Sequence, residues 1–240
     1  MLFTFIFKLF GEVPPITRVL VLTTLAMSIG VKLELFDETD LFYDYKGIAK
    51  RNEYWRLFTP ILCCGSFSMY SLFFTYLIYQ YASGLEDSTF RTKSHDFFYL
   101  IFLIFASMGL LLYLTNESYV SPCFLEIIIY LWSKTNHGQI VHVLGFIRIR
   151  AGYLPIFFFC FSYLMEANLF SSIVGIIIGH VLFYLYFVVP ELPFTRGWNI
   201  VAAPRFVKPC IQFLGLDMNR EIIFEPDDFI ADDDFAPREI

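Results

Sequence analysis

The chain reads as an all-α membrane protein, a bundle of six transmembrane helices with both termini in the cytosol. Three observations lead there. The composition is 57% hydrophobic and 20% aromatic, with 30 phenylalanines, beyond what a soluble domain carries. Apolar runs recur along most of the chain, and the last, Leu169 to Val189, has 21 residues, the length a helix needs to cross a bilayer. Lysine and arginine segregate between alternate loops, which sets the orientation. At 240 residues there is room for one membrane domain and no second globular unit.

Taken in order, Met1 to Phe10 is apolar with Lys8 as its only charge. No basic stretch leads it and no small-residue cleavage site follows before Pro14-Pro15, so residues 1–15 read as an interfacial segment rather than a signal peptide. Spans are expected at about 17–35, 57–79, 97–114, 119–132, 151–165 and 169–189, making 16–190 the membrane domain. Lys32 and Glu34 sit near the end of the first, where a long side chain can snorkel to the headgroups. The fourth and fifth runs, 14 and 15 residues long, fall short of a hydrocarbon core of about 30 Å at 1.5 Å per residue. Short spans pack inside a bundle, line polar cavities or thin the bilayer locally, unless each continues a further turn at its ends. With the N-terminus cytosolic, 12 basic residues lie inside and five outside, the five being Lys32, Lys46, Lys50, Arg51 and Arg56. The charge-rich loop 36–56 is then the longest on the outer side.

The net charge of −6 is concentrated at the end of the chain. Residues 217–240 hold nine acids against Arg220 and Arg238, which leaves about +1 for everything before. Residues 191–240 therefore form a cytosolic tail, acidic from 217. From Phe224 to Phe235 acids alternate with Phe224, Phe229, Ile230 and Phe235, and two readings stay open, a solvated segment or a peptide that docks a partner. Cys63, Cys64, Cys123, Cys160 and Cys210 form no CxxC and read as core-like thiols. His95, His137, His142 and His180 are scattered, so no metal is expected, nor any cofactor. Nothing points to nucleic acid. A small-solute transporter would call for paired repeats or rings of charge, and neither is present.

The polar groups within the spans carry the chemistry. Gly175 and Gly179, four apart, lie on one helix face and let another backbone approach closely, most simply that of the fourth span. His180 and Glu126 are ionisable groups at membrane depth, which are costly and therefore functional suspects. His180 reads as hydrogen-bonded within the bundle or as lining a polar groove. Measured from the outer helix ends, Glu126 lies roughly 10 Å deep and His180 roughly 16 Å, so a direct pair needs offset helices or a water. Glu166, beside Asn168, falls in the short outer turn. Trp55 and Arg56 read as interface anchors, or as a brace between the outer loop and the bundle.

A Trp-Arg pair before the second span, a small-xxx-small motif in the sixth and six spans together resemble the rhomboid superfamily. Finer matches resemble its derlin branch: Pro14-Pro15-Ile16-Thr17-Arg18, Glu53-Tyr54-Trp55-Arg56-Leu57, Leu85-Glu86, Ser88-Thr89-Phe90-Arg91 and Asp96-Phe97. Further along come Tyr130-Leu131-Trp132-Ser133-Lys134-Thr135-Asn136, Tyr153-Leu154-Pro155, Gly175-Ile-Ile-Ile-Gly179-His180 and Val189-Pro190. They occur in order across about residues 13–190.

Active rhomboids carry a serine in a Gly-x-Ser-Gly turn on span four and a histidine on span six. Family spacing from Trp132 places Ser121 at the serine position. Its glycine neighbours are replaced by Tyr119 and Pro122, and Pro122 supplies no N–H. The histidine position is Ser172. His180 lies eight residues, about 12 Å, further along the helix. The resemblance thus implies a pseudoprotease with no catalytic residues, the alternative being an active intramembrane serine protease. It also implies an endoplasmic reticulum location and a role in degrading misfolded proteins, by helping them cross back to the cytosol. Implied partners are misfolded substrates, a membrane ubiquitin ligase complex and the cytosolic hexameric AAA ATPase. The basic-and-glycine tail motif by which some derlins bind that ATPase is missing after residue 190, so contact with it would be indirect.

Overall fold

A computed structural model describes residues 13–115, 117–143, 147–164, 169–191, 203–204 and 207–213. Residues 1–12 of the expected interfacial segment 1–15, the outer turn with Glu166 and Asn168, the Cys210 side chain and the acidic segment 217–240 lie outside the described residues.

The chain is mostly helical. α1 (Pro15–Lys32) starts on Pro15, whose missing N–H costs nothing in a first turn. Ile16, Leu20, Thr24, Met27 and Ser28 are buried at the spacing of one helix face. It stops three residues before the expected end, because Glu34 turns into the left-handed region (φ 55°) and the Leu35 N–H returns to the Gly30 carbonyl. The outer loop folds into α2 (Glu38–Leu41), α3 (Tyr45–Arg51), a 3-10 turn (Tyr54–Leu57) and α4 (Thr59–Leu62).

The second expected span, 57–79, needs correction. Its helix is α5 (Met69–Ser88), displaced by more than two turns. Cys63 is extended, Gly65 has φ +82°, and the reciprocal Ser68–Ser71 capping box starts the helix. Pro60, Ile61 and Leu62 are buried in a four-residue helix that packs on α7, and a hydropathy window cannot tell such a short buried run from a span.

α6 (Ser94–Thr115), α7 (Ser121–Thr135), α8 (Leu154–Leu164) and α9 (Leu169–Phe183) follow the remaining expectations within a turn, with α9 prolonged by a wide π turn (Tyr184–Val188) and a 3-10 turn (Val189–Glu191). Between α7 and α8 lies an antiparallel hairpin, β1 (Ile140–Val143) and β2 (Ile147–Arg150), with His142 opposite Arg148. This is a small departure from an all-α chain. β2 alternates isoleucine and arginine, the pattern of a half-buried strand, and in β1 the alternate residues Val141 and Val143 are the less exposed. A short α10 (Val207–Phe213) packs on α6.

Among the described residues, three helices have the length and apolarity of membrane spans: Pro15–Lys32 (18 residues), Ser94–Thr115 (22) and Leu169–Glu191 (23). α5 is long enough at 20 residues but less apolar, and α7 and α8 are shorter, with 15 and 11 residues.

Contacts fix the directions. Glu86 near the end of α5 meets the start of α1, while Phe67 just before α5 donates to the Ser28 carbonyl near the end of α1. The segment leaving α6 joins the outer loop, through Tyr43 N–H to Ser118 O and Val120 N–H to Pro60 O. The Tyr81 ring near the end of α5 meets Trp132 near the end of α7, and Phe73 near the start of α5 meets Phe161 near the end of α8. α7 is the hub. Twelve of its 15 residues are buried, so a helix too short for lipid is solvated by protein instead.

Candidate functional site

The polar groups gather where α9 lies along α7. The two run parallel: a Cβ on Gly175 would fall 2.8 Å from the Cys123 carbonyl oxygen and 2.9 Å from Glu126 Cβ, and one on Gly179 would fall 3.0 Å from Tyr130 Cβ. Only glycine permits such an approach, and it brings the two backbones together over a full turn.

On this seam Ser121 and Ser172 are buried, and the Oγ of each has no hydrogen-bond partner among the described residues. Glu126 is 2% exposed, and its Oε2 likewise has no partner. His180 stands at the outer edge of the bundle, exposed, with Nδ1 2.7 Å from the Tyr130 hydroxyl. Lys134 lies 5.5 Å over the same tyrosine ring, within cation–π range. The partner of His180 is thus Tyr130 rather than Glu126, which sits beside Gly175, five residues or about 7.5 Å higher along α9. Sequence reasoning passed over Tyr130, because only the register of two parallel helices pairs it with His180. No imidazole reaches Ser121.

Trp55 and Arg56, adjacent in sequence, do different things. Trp55 is 52% exposed. Arg56 is buried beneath the outer loop and donates to the Thr39 and Phe42 carbonyls at 2.8 and 2.9 Å and to the Glu53 carboxylate at 2.6 Å, with Asp40 at 3.5 Å. One guanidinium, with donors in a fixed fork, ties α2 to the 3-10 turn. Thr59 adds a bond to the Leu41 carbonyl.

A second polar knot was not foreseen. The fully buried Glu86 accepts from the Ile16 N–H at 3.1 Å, the Thr17 N–H at 2.8 Å and the Thr17 hydroxyl at 2.7 Å. It caps α1 from another helix, where free N–H groups and the positive end of the helix dipole favour an anion. The sequence did hold a signal: Pro14 at the N-cap has no side chain to accept these bonds, so an acceptor had to come from elsewhere. Nearby, the Trp132 indole occupies the space that a Gly84 side chain would take. Motifs far apart in sequence, at 14–18, 84–86 and 130–134, therefore converge.

A bundle of apolar helices around a buried central helix, with a glycine-backed parallel pair holding polar groups, defines an integral membrane protein. The Der1-like family model matches residues 13–205, and the chain belongs to that family, whose derlins are rhomboid-like pseudoproteases. Similar curated proteins include Derlin-2.1 of Arabidopsis thaliana, 29% identical over 210 residues, covering 83% of this chain and 85% of that one. Derlin-2 of Oryza sativa subsp. japonica is 29% identical over 212 residues, 83% of each chain. A probable derlin-2 homolog of Dictyostelium discoideum is 26% identical over 208 residues, 83% of this chain and 80% of its own.

Proposed function

We propose that this protein is a non-proteolytic component of endoplasmic-reticulum-associated degradation, a multi-pass protein of that membrane that helps misfolded proteins return to the cytosol. Family membership supports the role. The observation that carries the non-proteolytic part is the seam itself: Ser121 Oγ has no partner, Ser172 stands where active rhomboids hold a histidine, and His180 is engaged by Tyr130. A serine without a base in hydrogen-bond reach is not a nucleophile at neutral pH.

In this reading α1, α5, α6, α7, α8 and α9 each cross once, with both termini cytosolic, residues 1–15 on the interface, 16–190 in the membrane and 191–240 forming a cytosolic tail. The alternating directions of the helices support it. The outer loop receives substrate. The bundle shields backbone that lipid cannot satisfy, and α7 and α8, about 22 and 16 Å long at 1.5 Å per residue, let the bilayer thin around them. A membrane ubiquitin ligase complex and the hexameric AAA ATPase, reached indirectly, complete the path.

The test is degradation of a misfolded lumenal reporter in cells lacking this protein. Rescue by wild type and by Ser121→Ala, but not by Gly175→Val with Gly179→Val, is the expected result. A cleaved reporter fragment that needs Ser121 would reinstate a protease. Normal lipid thickness around the reconstituted protein would count against thinning.

A further inference from the structure

The hairpin between α7 and α8 has two unlike faces. Its register pairs Ile140 with Arg150 and His142 with Arg148, so these four side chains share one face. Val141, Val143, Ile147 and Ile149 share the other. Val143 belongs to the buried core, and Val141 and Ile149 pack against that core. The first face is therefore turned away from the bundle, and all four of its residues are exposed, Ile140 by 61%. It is cationic with one apolar corner. Arg148 and Arg150, two apart on one strand, stand about 7 Å from each other, with His142 directly opposite Arg148. No Asp or Glu occurs between Glu126 and Glu166, whereas Lys134, Arg148 and Arg150 all fall in that stretch. Like charges this close repel, and an anionic partner removes the cost.

A suitable anion is tethered to the same chain. The segment 217–240 holds nine acids against two arginines, and sets Phe224, Phe229, Ile230 and Phe235 among them. Carboxylates match the arginines, and an aromatic ring matches Ile140. The segment also starts on the right side. α7 begins beside the outer loop and ends at the hairpin, while α6 ends beside that loop and so begins on the hairpin's side. There the Ala203 N–H donates to the Asp96 carboxylate at 3.4 Å, and Val207 and Ile211 are buried as α10 packs on α6. α6 in turn packs on α7. Neighbouring helices lie about 8–10 Å apart, so two or three such spacings, about 20–30 Å, separate α10 from the hairpin. The chain from 214 to 223 spans up to about 33 Å when extended, enough to bring Phe224 and the acids after it onto the hairpin. The apolar side of the hairpin is the one turned toward the bundle, which leaves the arginines to an anion on the aqueous side rather than to lipid headgroups.

We propose that the outward face of the hairpin is the docking site for this chain's own acidic segment. Arg148 and Arg150 pair with carboxylates between 225 and 234, and a flanking phenylalanine covers Ile140. Tethering makes the encounter intramolecular and raises the effective concentration of the acids, so ion pairs that are individually weak at a surface suffice together. The inference stands apart from the role in degradation, since it needs only that hairpin and acidic segment share a side of the membrane.

The test uses the full chain, one copy per nanodisc, in a mixture of phosphatidylcholine and phosphatidylserine, with the photo-crosslinker benzoylphenylalanine at Ile140. Mass spectrometry reads what it captures. Wild type is expected to crosslink residues within 217–240. Arg148→Glu with Arg150→Glu should lower that product about tenfold, as should Asp232→Lys with Asp233→Lys and Asp234→Lys. Joining the two sets should restore it, which a folding defect cannot do. Raising the ionic strength from about 0.05 M to about 0.5 M should weaken the wild-type product. Crosslinks to lipid, or to other parts of the chain, in place of the acidic segment overturn the proposal. So does a product that ignores either charge reversal, or one that fails to recover when both are joined.

Discussion

Replacing Gly175 with alanine puts a methyl carbon 2.8 Å from a backbone carbonyl oxygen and 2.9 Å from a side-chain Cβ. Ordinary contact begins near 3.4 Å, so α9 must move off α7 by about 0.6 Å, and neither obstacle is the free end of a flexible chain. Overpacking of this kind costs about 1–3 kcal/mol. For a chain of this size each kcal/mol lowers the melting temperature by about 2–4 °C, so Gly175→Ala should melt about 4–8 °C below wild type for a cost near 2 kcal/mol. At Gly179 the neighbours are Tyr130 Cβ, Cγ and Cδ1 at 3.0–3.2 Å, a smaller overlap with no backbone atom among them, and alanine there should cost about half as much. Gly109 has nothing within 4 Å of its would-be Cβ. Alanine there fills open space and favours the helix, so its melting temperature should hold or rise slightly. The assay is thermal unfolding of the full chain in nanodiscs, followed by tryptophan fluorescence and circular dichroism. Gly175→Ala melting with wild type, or above Gly179→Ala, would refute the claim that backbone contact defines the seam.

Three further outcomes follow from the same contacts. Glu86→Ala removes the acceptor of three bonds at the start of α1 and should destabilise by about 2–4 kcal/mol, less than the sum of three charge-assisted bonds; Thr17→Val, which loses only the hydroxyl bond, should cost about 1 kcal/mol. If Glu86→Ala unfolds no more readily than Thr17→Val, the carboxyl is not the cap. Tyr130→Phe should cost about 1 kcal/mol and shift the His180 ring resonances, while a double-mutant cycle with His180→Ala should give a coupling of at least about 0.5 kcal/mol; zero coupling would dissolve the pair. Arg56→Lys keeps the charge but cannot serve two carbonyls and a carboxylate from one planar fork, so trypsin should cut the outer loop at Lys46, Lys50 or Arg51 faster than in wild type, and unchanged cutting would deny Arg56 its bracing role.

Much of the architecture was legible in the chain because hydropathy is a local property. The helices at 94–115, 121–135 and 169–191 appear within a turn of their apolar runs. The second span misled because Pro60, Ile61 and Leu62 are buried for a tertiary reason, in a short helix packed on α7, and the spanning helix begins only where Gly65 has turned the chain and Ser68 can cap it. The hairpin at 140–150 escaped because its alternation is short and sits among charges that read as a loop.

What the sequence determined alone was the kind of molecule: its composition and apolar runs demand a membrane, and Gly175 and Gly179 demand a close neighbour along one helix face. Which atoms meet was decided by tertiary structure. Glu86 becomes the cap of α1 only because α5 ends beside it. His180 finds Tyr130, and Glu126 comes to lie beside Gly175, only because α9 runs parallel to α7 at one particular offset. A hydrogen bond needs its partners within about 3 Å, and a slip of one helical turn moves a side chain 5.4 Å. Register is therefore set by the packing of whole helices, and composition cannot encode it residue by residue.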